Sequence, residues 1–351
     1  MKRYRIILPL ILLTLIGIFW WRRARPANAT PAYISEHSAT LWSSLAQVRQ
    51  PVAILHYGEK VLVLKRRGEH AEVRTARGTR GWMAARPLME PALWQRSEQL
   101  LAQVRSMPVQ ARGRTKVPSN LHAEPDRSGA RFYPLNRGTP VEVLGRAVTE
   151  WSPPSGEKEN AAPAKDVEEE QQPRREDWLL VRGFASSAPD AAALEIPALK
   201  GEETVEVAGW VLGRRIGLDL PAPVRDYATS SGIRVLASFE LNRVPNGGGE
   251  QPQYLAAGVR GSEGQECDFT LIRVYTWGAR RKRYETAYVE SAFCGRLPIR
   301  VSKAASGDAE FRFRAQGKNS DAERVYRLRQ TVVRRLREGE LGGAKTAPRS
   351  R

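Results

Sequence analysis

Gly209-Trp210-Val211-Leu212-Gly213-Arg214-Arg215 closes a long middle segment of the chain, and Gly81-Trp82-Met83 closes an earlier, shorter one. Upstream of each, the same order of residue types recurs. Tyr57-Gly58-Glu59-Lys60-Val61-Leu62-Val63-Leu64 sits against Arg137-Gly138-Thr139-Pro140-Val141-Glu142-Val143-Leu144. His70-Ala71-Glu72-Val73-Arg74 sits against Asp177-Trp178-Leu179-Leu180-Val181-Arg182. Alternating apolar runs joined by glycine-bearing turns are the pattern of short strands in a small barrel, so the chain is read as two copies of one β module.

Outside the copies the period changes. Leu41, Leu45 and Val48 recur at helical spacing, which predicts a helical stalk over residues 31–47 before a first module at 48–90. Leu93, Leu100, Leu101 and Val104 predict a helical linker within 91–116. The second module spans 117–217 and carries an acidic insertion at 149–176, where Glu168-Glu169-Glu170 lies among prolines, alanines and glutamines. That stretch lacks the apolar content to fold and is expected to be a disordered, solvated loop. A second, alanine-rich insertion runs from Gly183 to Thr204. Residues 218–335 form a C-terminal antiparallel β domain. Its clearest hairpin is Phe269 to Trp277, a turn at Gly278 to Lys282, and Arg283 to Glu290. Asp321 to Glu338 suits a helix or a strand, and a final strand is placed at Val325 to Arg329. A disordered tail is expected over 336–351.

The first thirty residues give an address. Lys2, Arg3 and Arg5 precede an apolar run from Ile6 to Trp21, and Arg22, Arg23 and Arg25 follow it. The run is about 24 Å long as a helix, slightly short of the roughly 30 Å hydrocarbon core. Trp20 and Trp21 suit the membrane interface. An uncleaved signal anchor, residues 1–30, is the first reading; secretion after cleavage near Ala29 is the second. No second span follows, so the bulk of the chain is placed outside the cytoplasm, at a bacterial inner membrane. Cys267 and Cys294 suit either a disulfide in an oxidising compartment or two buried free thiols.

The paired pattern resembles bacterial SH3-like (SH3b, SH3 type 3) domains. The residues that carry the resemblance are Gly58-Glu59, Val61, Val63, Val73-Arg74 and Gly81-Trp82. In the second copy they are Gly138, Val141, Val143, Trp178, Val181 and Gly209-Trp210-Val211. The resemblance implies small barrels that act as extracytoplasmic binding modules, often beside wall-acting enzymes. The large insertions of the second copy depart from the family and put loop-based binding there in doubt.

A formal net charge of +18 among 351 residues attracts polyanions. Chemistry is harder to find. His37, His56, His70 and His122 do not stand at metal-ligand spacing, and no GxSxG, HExxH or GxxxxGK motif is present. No catalytic residue, metal or cofactor is therefore assigned, and the chain is read as a non-enzyme. The candidate ligand-binding residues are aromatic and basic. Trp82 and Trp210 are each a strand anchor or a platform for a sugar ring or peptide. Arg214 and Arg215 add cationic contacts beside Trp210. Trp277, Arg280, Arg281 and Arg283 form the densest basic-aromatic patch. The expected function is membrane-anchored binding or scaffolding at the cell envelope, with cell-wall polymer, an envelope protein or a peptide as partner. Two other classes stay open: nucleic-acid binding driven by charge, and an enzyme activity in the C-terminal domain.

Overall fold

The computed structural model describes residues 29–152, 174–185, 204–316 and 321–337. Residues 1–28 of the anchor expected over 1–30, residues 153–173 of the acidic insertion, residues 186–203 of the second insertion, residues 317–320 and the tail from 338 lie outside the described residues; 149–151 and 174–176, the ends of the insertion expected to be disordered, are instead paired strand. Among the described residues no helix is long and apolar enough to cross a membrane. The described residues are mainly β, in three antiparallel seven-stranded sheets with two α-helices. They cluster into two compact units, one holding residues 29–98 with 204–205 and the other the remainder.

In the first unit the sheet is built from β1 (Thr30–Ile34), β2 (Ser38–Trp42), β3 (Pro51–His56), β4 (Lys60–Arg67), β5 (His70–Thr75), β6 (Arg80–Ala84) and β7 (Leu88–Met89). They pair in the order β3-β2-β6-β5-β4-β1-β7. Buried residues alternate by twos, as a half-covered strand requires: Ala32 and Ile34, Ala39 and Leu41, Val61 and Val63, Ala71 and Val73. The stretch read as a helical stalk is therefore β1 and β2. Leu41 fits periods of 2 and 3.6 equally, and the small Ala32 and Ala39 carry the alternation that decides between them. Val48, assigned to the helix face, is 94% exposed. Helix α1 (Pro91–Val104) follows. Near its start Trp94 stacks on Tyr33 at 5.1 Å and meets Tyr57 edge-on at 5.4 Å. Burial pushes the Tyr57 hydroxyl up to about 12.

The second sheet comprises β8 (Ala111–Thr115), β9 (Ser119–His122), β10 (Arg131–Leu135), β11 (Pro140–Trp151), β12 (Arg174–Ala185), β13 (Val205–Leu212) and β14 (Ile216–Leu218). Its order, β10-β9-β13-β12-β11-β8-β14, is the first order with seven added to each number. The irregularities repeat as well. A register shift follows Val63 in β4 and Val143 in β11, and Gly58 and Gly138 both hold positive φ, 78° and 81°. The doubled pattern in the sequence is thus a doubled topology. Each ladder is open, with β3 and β7, or β10 and β14, as unpaired edges, so neither sheet is the closed barrel that was expected. Ala111–Thr115, assigned to the helical linker, is a strand of this sheet.

Helix α2 (Ala222–Ser230) leads into the third sheet, a meander of β15 (Ile233–Asn246), β16 (Gly249–Arg260), β17 (Phe269–Gly278), β18 (Arg283–Lys303), β19 (Ala309–Gln316), β20 (Asp321–Arg329) and β21 (Val332–Leu336). Its main core is drawn from alternate residues, including Leu255, Ile272, Val274, Phe311, Phe313, Tyr326 and Leu328. Phe311 and Phe313 stack on Tyr326 at 4.8 and 5.6 Å. Val224 and Ala228 of α2 pack on Val235, Ala256, Leu271 and Tyr275.

The second and third sheets share the second unit and are joined through polar groups. Fully buried Gln110 donates to the Ile299 carbonyl at 3.2 Å and accepts from its amide at 2.7 Å, in the manner of one more rung of sheet. The Arg146 guanidinium, with no exposed surface, reaches Asp177 at 2.5 Å, Asp268 at 3.0 Å, and the carbonyls of Gln265 and Cys267 at 2.6 and 3.2 Å. Arg234 also binds Asp177, and the Gly264 amide donates to it at 3.0 Å. The Arg146 guanidinium thus meets acceptors on every side, the condition under which buried charge is tolerated, while the Arg234 Nε is left without a partner.

Candidate functional site

The Gly-Trp pair that ends each copy has a packing reason. A Cβ on Gly81 would lie 2.6 Å from the Trp42 carbonyl oxygen and 2.7 Å from Leu41, and one on Gly209 would lie 2.9 Å from both Leu121 and Phe132. The neighbouring strand crosses so closely that only hydrogen fits. The next residue then points to the opposite face. Trp82 is half-buried on that face, in register with Trp42, and Trp210 is half-buried in register with His122. Trp210 packs with Leu100, Met107 and Val109 on a cluster of Leu101, Val104, Leu144, Leu180 and Ala208. It anchors the second half of α1 to the sheet and does not share a groove with Arg214. In the second copy the pair lies within β13 and is followed by β14, so it does not open the last strand.

Arg214 is committed to structure. It binds Glu176 at 2.9 Å and Glu263 at 3.2 Å. Glu176 has no exposed side-chain surface and also accepts from Arg127 at 2.6 and 2.8 Å. Burial alone would raise its carboxyl, but the hydrogen bonds from Arg127 and Arg214 hold it below the usual carboxylate range. Arg127 is stacked at 4.2 Å on Trp151, whose ring Arg174 also approaches. Cys267 and Cys294 are joined in a disulfide with Cα atoms 5.0 Å apart, tying the loop before β17 to β18.

Arg215, the neighbour of Arg214, faces elsewhere. With Asn120, His122, Arg127, Arg131 and Trp178 it lines a cavity of about 140 Å³ in the second sheet, with Val211 and Leu212 as an apolar side. Arg215 reaches only the Pro118 carbonyl, at 3.4 Å, and neither it nor Arg131 is ion-paired among the described residues. Trp178 and His122 are more than nine-tenths buried and meet edge-to-face at 5.0 Å. The Trp178 Nε1 and the His122 Nδ1 both lack a hydrogen-bond partner. Burial and the nearby Arg131 lower the His122 pKa, although the Asp126 and Gly129 carbonyls engage its ring. Sequence reasoning treated His122 as an isolated structural histidine and Trp178 as a strand marker. The pairing β9-β13-β12 is what brings them together.

The second concavity, about 530 Å³, lies on the third sheet. Tyr227, Tyr275 and Tyr284 line it with Arg273, Arg281 and Arg283. Arg273 lies 3.5 Å over the Tyr227 ring, a cation–π stack that lends the groove a flat cationic wall. Burial pushes the Tyr275 and Tyr284 hydroxyls up to about 12. Trp277 packs edge-on against Tyr284 at 5.3 Å. Of the basic turn, Arg281 and Arg283 share Glu285 at 3.0 and 3.8 Å, while Arg280 is exposed at the tip. The sequence thus found the turn. It missed Tyr227, Arg273 and Tyr275, which come from α2 and from the body of β17.

Among the described residues no group of three or more histidine, cysteine or acidic side chains could hold a metal ion. Both concavities set guanidinium groups beside aromatic faces, an arrangement whose chemistry suits negatively charged groups. No family model matches the chain, and no curated protein matches it. The solved structure of NlpC2 from Trichomonas vaginalis is similar at 9% identity, covering 87% of this chain and 98% of that one, with a TM-score of 0.16, too low to establish a shared fold.

Proposed function

We propose that the chain is a non-catalytic binding or scaffold protein of the bacterial cell envelope, anchored by its N-terminal segment, with its two SH3-like modules and third sheet outside the cytoplasm. Its ligand is an anionic cell-wall polymer or an acidic peptide. The observation that carries this reading is the groove of Tyr227, Tyr275 and Tyr284 with Arg273, Arg281 and Arg283. Rings and cations there line one concavity of about 530 Å³, within a protein of net charge +18. The Cys267–Cys294 disulfide supports the compartment, because such bonds persist in oxidising surroundings. The repeated topology supports the modules, since seven strands recur in one order and with one bulge position.

The test is retention of the full chain, in detergent, on insoluble cell wall as salt is raised. The wild type should be held at low salt and released progressively, as expected for ion-driven contact. Arg281→Ala/Arg283→Ala should weaken retention. Retention that ignores both the salt and the double substitution would refute the groove as the site. Tighter binding to DNA than to wall would favour nucleic acid as the ligand.

A further inference from the structure

We propose that the cavity of the second module, between Arg131 and Arg215, is a site for the terminal carboxylate of a peptide, taken together with the amide N–H of the residue that bears it. This deepens the reading of the chain as a binding protein. It uses none of the residues of the groove on the third sheet.

The argument starts from charge. Arg127 is already neutralised by Glu176, which leaves Arg131 and Arg215 as two cations with no acidic partner among the described residues. Two guanidinium groups on one small cavity repel each other and attract one anion; a carboxylate matches their planar fork of donors.

The buried polar groups then narrow the ligand. Trp178 Nε1–H is a donor without an acceptor, and indole can do nothing but donate. His122 presents the reverse need. The Asp126 and Gly129 carbonyls neighbour its ring, and its buried Nδ1 has no partner. In the neutral Nε2–H tautomer that nitrogen is an acceptor, so it calls for an N–H or O–H. A bare anion such as sulfate would leave Nδ1 facing negative charge. A peptide terminus supplies both senses: carboxylate oxygens for the arginines, Asn120 and the indole, and its own amide N–H for His122.

Size agrees with a single small residue. About 140 Å³ is the space of roughly four or five waters at about 30 Å³ each. Val211 and Leu212 offer a short apolar side for a methyl-sized side chain. The first module has no counterpart. Trp42 stands at the position of His122, opposite Trp82 as His122 is opposite Trp210.

The experiment titrates the full chain in detergent with N-acetylalanine, followed by calorimetry and by indole fluorescence. N-acetylalaninamide lacks the carboxylate, propionate lacks the amide, and inorganic sulfate lacks the donor. N-acetylalanine should bind saturably, N-acetylalaninamide should not, and propionate and sulfate should each bind more weakly. Arg131→Met and Arg215→Met should each weaken N-acetylalanine by about tenfold or more, the value of a charge-assisted hydrogen bond. Arg131 is exposed and Arg215 makes one long contact, so both variants should keep the wild-type near-ultraviolet circular dichroism. Arg281→Ala/Arg283→Ala should leave this affinity unchanged, which separates the two sites. Absence of saturable N-acetylalanine binding at millimolar concentration, equal or tighter binding of sulfate, or affinity unchanged in both arginine variants would overturn the assignment.

Discussion

Replacing Arg146 by methionine should be among the most damaging single changes in the second unit. The guanidinium is fully buried and supplies five hydrogen bonds: two to Asp177, one to Asp268, and one each to the Gln265 and Cys267 carbonyls. Methionine fills much of the volume but donates nothing. Asp177 keeps Arg234 and the Gly264 amide, and Asp268 keeps only the Leu297 amide, at 2.8 Å. Two carbonyls lose their donors outright. Breaking a buried ion pair while leaving its partner costs about 3–5 kcal/mol, against a net stability of about 5–15 kcal/mol for a typical domain. Urea denaturation followed by tryptophan fluorescence should show a midpoint lowered by that amount, almost insensitive to salt, because buried pairs are little screened. A double-mutant cycle with Asp268→Asn should give a coupling energy above about 1 kcal/mol, since the two groups touch. A loss below about 1 kcal/mol that shrinks further in salt is the behaviour of an exposed pair. That result would refute the burial of the Arg146 ion pairs in a dry seam.

Three more outcomes follow from nearby residues. Gly264→Ala should destabilise the same seam by about 1–3 kcal/mol, because Gly264 holds φ +83° and a Cβ there would lie 2.4 Å from the Arg175 carbonyl; an unchanged urea midpoint would show that the loop can move away. Glu176 has a folded-state pKa below its ordinary value of 4.5, so it contributes stability above that value and loses it as pH falls through the folded one. Stability–pH curves of Glu176→Gln should therefore lie lower at neutral pH and fall less steeply in acid, and parallel curves would contradict the pairing. Reducing Cys267–Cys294, separated by 27 residues, should cost about 3–4 kcal/mol by loop-closure entropy, read as a lower urea midpoint with dithiothreitol that Cys294→Ala reproduces without it.

Much of the fold was legible because β periodicity is local. Val61 and Val63, Ile233 to Leu241 and the Phe269–Glu290 hairpin announce themselves within a few residues, and their alternation survives in the structure. The repeat was legible because its landmarks, Gly58 with Gly138 and Gly81 with Gly209, answer to steric needs that admit almost no other residue. The error at Tyr33–Val48 has the same origin. A five-residue strand offers too few apolar positions to tell 2 from 3.6, and Ala32 and Ala39 weigh little on a hydrophobic pattern while filling the core fully.

By itself, then, the sequence determined the mainly β character, the doubled unit and the basic turn at Arg280–Arg283, all of which depend on neighbours along the chain. Only the tertiary structure decided what the candidate residues do. Arg214 and Arg215 are adjacent in sequence, yet the short 3-10 turn Gly213–Arg215 sends one into an ion-pair network and the other to a cavity. Trp210 became a helix anchor, and His122 and Trp178, which nothing local connects, became neighbours. Which cation is neutralised, which ring is covered and which nitrogen lacks a partner are set by strand order across the sheet. Electrostatics and hydrogen bonding act through space over a few ångströms, and pairing between distant strands sets those distances.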